Sequence, residues 1–136
     1  MQFLLETFIF IFENYNNALI KGHMGSKMVV NLAGSGLCDS ISIYDANPSA
    51  AENTISLVQS TVQDKVEVTA MDLATMSQQC SVIFSMLPND IIVNDVSTHL
   101  LKSGSNNSNK FIHVSCSTIS PTTSRSLEVI DAIEGF

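Results

Sequence analysis

The segment Gly22-His23-Met24-Gly25 holds the residue types and spacing best suited to chemistry in this chain. Glycines placed just ahead of a stretch of helical period can bring free backbone N–H groups and the positive end of a helix dipole against a pyrophosphate. In that reading Gly22 permits close approach of backbone to ligand, and Gly25 lets the helix pack tightly on a sheet. Asp45 stands twenty residues after Gly25, at the end of the next candidate strand, where it is placed to bond a ribose hydroxyl. A carboxylate there favours NAD over NADP. The same residues admit a second reading, in which the glycines serve turns and Asp45 caps the following helix. Ser117 and Thr118 follow the last candidate strand and, taken alone, read as hydroxyls capping the helix that Pro121 opens.

Other reactive side chains read as structural. His113 falls within a strand and His99 on a helix beside Leu100 and Leu101, while His23 would serve a phosphate through its backbone rather than its ring. Met24 and Met28, at helical spacing, are expected to pack against the sheet. Cys38, Cys80 and Cys116 are odd in number and far apart, with neither the paired spacing of a zinc site nor the density of a disulfide scaffold. They read as packing or loop thiols in a reducing compartment, and no metal site is expected.

These residues need elements to hold them. From Ile20 onward, short β-branched apolar runs alternate with longer segments of helical period, the pattern of an α/β fold with a parallel sheet covered by helices. Ser40 to Tyr44, Lys65 to Thr69, Ser81 to Met86 and Lys110 to Ser115 are the clearest strands. A fifth is expected just before Gly22, over Asn17 to Ile20, with the Phe-rich residues ahead of it able to extend it. Helices are expected from Gly25 to Leu32, closed by Gly34 and Gly36, and from Pro48 to about Ser60. Asp72 can cap a helix to Gln79, Asn89 one to Leu101, and Pro121 can open a last one to Ile133. Ser103 to Asn109 is polar and Gly-containing, a surface loop. Right-handed crossovers would make the sheet doubly wound, with ligands at the carboxyl ends of its strands.

With 136 residues the chain suits one domain, and an apolar share of 45% suits a sizeable core without reaching a membrane-spanning run. Its formal charge of −7, with six Lys and Arg, repels nucleic acid and anionic membranes, so neither is an expected partner. A dinucleotide stays compatible, because backbone N–H groups rather than net charge hold it. Residues 1–17 differ from the rest, crowding Phe3, Phe8, Phe10 and Phe12 ahead of an Asn-rich stretch. They read as an atypical leader before a domain over 18–136. Glu6 and the lack of Lys or Arg before Lys21 argue against both a secretory signal and a mitochondrial targeting segment.

Four segments, KGHMGSKMVVNLAGSG, ISIYDANP, VIFSMLPND and HVSCSTISPTTSRSLE, occur in order at spacings that resemble the β-hydroxyacid dehydrogenases, 3-hydroxyisobutyrate dehydrogenase among them, and the NAD(P)-binding domain of 6-phosphogluconate dehydrogenase. The likeness extends over residues 21–131. It implies a Rossmann-like fold, a doubly wound parallel sheet with helices on both faces, and an NAD(P)-dependent oxidoreductase. Carried over residue by residue, Gly22, His23, Met24 and Gly25 resemble the dinucleotide loop and Asp45 the ribose acceptor. Leu87 and Pro88 resemble the loop beside the nicotinamide ribose, Thr118 a cofactor contact, and Ser117 the serine that binds the substrate carboxylate. The implied cofactor is NAD, with NADP disfavoured, and the implied substrate is a small hydroxyacid. The compartment implied is mitochondrial or cytosolic.

The chain departs from the family pattern in three places. Ile20, followed by Lys21, stands where the family has its first glycine, and a β-branched residue fits that tight turn poorly, so weakened cofactor binding is expected. Ser115 replaces an aspartate. The family also continues into a helical domain supplying a catalytic lysine and asparagine, and without it little or no turnover is expected of residues 1–136. Three readings follow: a truncated oxidoreductase, a dinucleotide-binding module without catalysis, and a degenerate protein that keeps only the fold.

Overall fold

In this computed structural model residues 8–12, 23–62, 66–80, 82–104 and 111–134 are described, and strands and helices alternate along them. In order they are β1 (Phe8–Phe12), α1 (His23–Gly34), β2 (Ser40–Asp45), α2 (Pro48–Val62), β3 (Glu67–Ala70), α3 (Leu73–Gln79), β4 (Val82–Met86), α4 (Asp90–Gly104), β5 (Ile112–Ser115) and α5 (Pro121–Glu134). All strand pairs are parallel, in the spatial order β3-β2-β1-β4-β5. From β1 the chain winds outward through β2 and β3, then returns to β1's other side for β4 and β5.

Helices cover both faces. Ile83 of β4 belongs to a buried cluster with Met76 of α3 and Val93, Val96 and Leu100 of α4. Its neighbour Phe84 packs against a second cluster, built on Val29 and Ala33 of α1, Ala51 and Val58 of α2, and Ile41 and Ile43 of β2. Successive strand residues point to opposite faces, so the two clusters are the two sides of one sheet. This is the doubly wound α/β architecture expected from the alternation of elements.

The first strand lies in the Phe-rich segment expected only to extend it. The stretch at residues 17–20 lies outside the described residues, and the strand ahead of α1 is Phe8–Phe12, within the Phe-rich segment. It takes the central position, with Phe8 in register with both Ile41 and Val82, and Phe12 with both Asp45 and Met86. An interior parallel strand calls for an uninterrupted apolar run. FIFIF is one.

Most element ends carry the expected signals. Asp72 accepts the Thr75 N–H at 2.9 Å as the N-cap of α3, and Asn89 accepts the Ile92 N–H at 3.0 Å at the start of α4. α1 ends at Gly34 and the chain leaves through Gly36, whose φ of +73° lies in the left-handed region. Other boundaries moved. α1 begins at His23, two residues earlier than expected, and β5 begins at Ile112. Lys65, Ser81 and Lys110, expected to open strands, lie outside the described residues, as do residues 105–109 of the polar loop; α4 runs on to Gly104.

Candidate functional site

The winding direction reverses between β1 and β4, and in an open parallel sheet the crevice for a ligand forms outside the carboxyl ends of the strands at that reversal. Four ends meet there: Phe12 of β1, Asp45 of β2, Met86 leading into Leu87, and Ser115 leading into residues 116–120.

His23, Met24 and Gly25 form the first turn of α1, and Gly25 is buried; Gly22 lies outside the described residues. The first N–H groups of a helix have no partner within it, so this turn presents donors and a positive dipole end. No acidic side chain occupies it to compete for those donors.

Asp45 ends β2, only 7% exposed, in register with Phe12 at the end of β1. Its Oδ1 accepts the Asn47 N–H at 2.9 Å, which fixes the carboxylate in a local turn. Asp45 does not cap α2. That role falls to Asn47, whose Oδ1 accepts the Ser49 N–H at 3.2 Å.

Leu87 and Pro88 follow β4, Leu87 buried and Pro88 exposed. Ser117 and Thr118 follow β5, Ser117 partly buried and Thr118 exposed. The structure joins the two turns directly: the Leu87 N–H donates to Ser117 Oγ at 2.7 Å, and the Cys116 N–H donates to the Ser85 carbonyl at 2.8 Å. Ser117 therefore does not cap α5. Ser120 does, its Oγ accepting the Thr123 N–H at 3.2 Å and its carbonyl the Ser124 N–H at 3.1 Å.

A residue that sequence reasoning passed over completes this junction. Asp90, in the first turn of α4, accepts the Ser120 N–H on both oxygens at 3.2 and 3.3 Å and the Thr123 hydroxyl at 3.0 Å. Hydrogen bonds from Ser120 and Thr123 hold its carboxyl below the usual aspartate range. Its partners lie some thirty residues away, so only an acidic residue at a helix start was visible in the sequence.

Behind the crevice His113 and Ser85, on neighbouring strands, share a 2.9 Å hydrogen bond between Nε2 and Oγ. Burial pushes the imidazole down to about 4, so it is neutral at pH 7. The Ser115 hydroxyl, where the family carries an aspartate, is buried with no hydrogen-bond partner among the described residues. Burial raises the Cys80 thiol to about 11, and burial, then the charge of Asp39, raises Cys38. Neither offers a thiolate near neutral pH.

Comparisons with known proteins agree with this geometry. The profile of the NAD binding domain of 6-phosphogluconate dehydrogenase matches residues 21–132. No curated protein gives a significant match. Among solved structures, Mycobacterium tuberculosis 3-hydroxyisobutyrate dehydrogenase with L-serine is similar at a TM-score of 0.70 and 22% identity, over 96% of this chain and 38% of that one. A variant of the imine reductase from Myxococcus stipitatus, in complex with NAD+, is similar at 0.67 and 16% identity, again over 96% and 38%. An imine reductase from Pseudomonas sp. gives 0.65 and 13% over the same shares. At these identities the likeness is one of fold. The chain spans 38% of the length of each of these structures.

Proposed function

The chain belongs to the family of NAD-binding domains found in 6-phosphogluconate dehydrogenase, and from that premise we propose that it holds NAD, in preference to NADP, for an oxidoreductase acting on a small hydroxyacid. The carrying observation is Asp45, a buried carboxylate fixed at the carboxyl end of β2 beside the end of β1. A carboxylate there accepts from the two ribose hydroxyls of NAD and repels the extra phosphate of NADP. The residues suit the group in charge as well: the first turn of α1 offers N–H donors and the helix dipole to a pyrophosphate. Bound NAD would supply a hydride acceptor.

In this reading Gly22, His23, Met24 and Gly25 form the phosphate loop, Leu87 and Pro88 lie along the nicotinamide ribose, and Thr118 touches the cofactor. Ser117 offers its hydroxyl hydrogen to a substrate carboxylate, its oxygen already accepting from Leu87. None of these residues is assigned the proton of the substrate hydroxyl, and the matched structures are more than twice as long as this chain. Residues 1–136 by themselves are therefore expected to bind cofactor without turnover, and the sheet β1 to β5 with helices α1 to α5 is proposed as the cofactor domain, which takes in β1 ahead of the expected boundary at residue 18.

Calorimetric titration with NAD and with NADPH tests the reading, beside Ile20→Gly and Asp45→Ala variants. NAD should bind more tightly than NADPH, Ile20→Gly should tighten NAD, and Asp45→Ala should weaken NAD about tenfold. Equal affinity for the two cofactors, or no effect of Asp45→Ala, would refute the preference. No binding by the parent or by Ile20→Gly would refute the cofactor role.

A further inference from the structure

The turns after β4 and β5 carry different proposed duties, the first beside the cofactor and the second toward the substrate, and their relative position has to be set by something. Main-chain pairing ends at Ser85 and Ser115. Beyond it the Cys116 N–H reaches the Ser85 carbonyl and the Leu87 N–H reaches Ser117 Oγ. Ile119 then restrains residues 118–120 from one side, packed against the cluster that includes Ile83 and Leu87. Asp90 does so from the neighbouring helix, with both oxygens on the Ser120 N–H and one on the Thr123 hydroxyl. Thr123 is buried and itself accepts from the Ser120 hydroxyl at 3.1 Å, so the carboxylate grips a preassembled cap rather than a loose chain end.

We propose that Asp90 is a positioning residue: by holding the start of α5 against the start of α4 it fixes residues 116–120, so that the Ser117 hydroxyl keeps the Leu87-Pro88 backbone in place for the cofactor. The inference rests on the cofactor reading for its functional half and on geometry alone for its structural half. Asp90 acts through Ser117 and touches neither cofactor nor substrate. A carboxylate suits the task because each oxygen can accept more than one hydrogen bond, and ionised acceptors bind N–H and O–H donors more strongly than neutral ones. Asparagine would keep one acceptor for the Ser120 N–H and lose the second.

The test pairs amide hydrogen exchange, read by NMR on the chain without ligand, with NAD titration of the same samples. In Asp90→Ala the Leu87 and Ser120 amides should exchange about tenfold faster, while those of Ile41 and Ile83 in the sheet keep their rates. NAD affinity should fall by about the same factor, and Asp90→Asn should recover part of both effects. In a Ser117→Ala background, Asp90→Ala should weaken NAD no further, because the path through Ser117 is already cut. Unchanged Leu87 exchange in both Asp90 variants would overturn the proposal, and so would an equal loss of NAD affinity with and without Ser117. If Asp90→Ala does not fold, Asp90→Asn carries the exchange comparison. Failure of the unaltered chain to bind NAD would overturn the cofactor reading, while Leu87 exchange would still decide for or against the Asp90 clamp.

Discussion

Acidification below neutral pH should lower the stability of this domain through His113. His113 sits on the edge strand β5, hydrogen-bonded to Ser85, and burial lowers its pKa from 6.5 to about 4. Above pH 6.5 the imidazole is neutral in the folded and unfolded chains alike, and stability is at its full value. Between 6.5 and about 4 the unfolded chain takes up a proton that the folded chain refuses, so stability falls as pH falls. Below about 4 both forms are protonated and this loss stops growing. At roughly 1.4 kcal/mol per pH unit, the interval between the two values corresponds to about 3 kcal/mol. That is a large share of the 5–15 kcal/mol typical of a domain. Asp72 and Asp90 act elsewhere: their lowered pKa values give stability that is present above the ordinary aspartate value of 3.8 and is lost as pH falls through the folded values. Urea unfolding at several pH values from about 7 to about 4.5 reads the effect, with His113→Gln as the comparison. Glutamine can reach the Ser85 hydroxyl and has no proton to gain. The parent should lose stability across this range and the variant should stay nearly flat. Parallel curves for the two proteins would refute the assignment.

Further outcomes follow from packing and backbone. Ile83→Ala empties a fully buried position in the cluster under α3 and α4 and should cost about 2–5 kcal/mol in urea unfolding. Gly36→Ala should lower the melting temperature, corresponding to about 1 kcal/mol, with Gly36→Asn milder. No atom lies within 4 Å of a Cβ built there, so the loss would come from the positive φ alone. Iodoacetamide applied to the native protein should label Cys116 first, because it is only partly buried, and should reach Cys38 and Cys80 only after denaturant is added.

Much of the architecture was legible because local signals and long-range packing agree. Asp72, Asn89 and Pro121 mark helix starts by their own side-chain chemistry, and β-branched runs such as Ser-Ile-Ser-Ile-Tyr mark strands. The first strand shows where such reading stops. A glycine turn ordinarily abuts its strand, which centred the expected strand on residues 17–20, outside the described residues, and the central pairing belongs to the apolar run at Phe8–Phe12. At the site, Gly25, Asp45 and Ser117 could be singled out from spacing and family pattern. Their hydrogen bonds could not: Ser117 looked like a helix cap until the parallel pairing of β4 with β5 brought it to Leu87. Asp90 was invisible for the same reason, since its meaning depends on Ser120 and Thr123 arriving from another helix.

The placement of β1 also bears on how the chain comes off the ribosome. FIFIF is aromatic, β-branched and uncharged, and it emerges well before its partners. Ile41 to Asp45 arrive about 35 residues later and Val82 to Met86 about 75 residues later. At translation rates of roughly 5–20 residues per second, the second edge of this segment waits on the order of several seconds for its neighbour. During that interval it presents a ready template for pairing with other chains. Nascent-chain solubility, more than the equilibrium stability of the finished sheet, should therefore limit the yield of this protein, and a chaperone that shields the first few dozen residues should raise it.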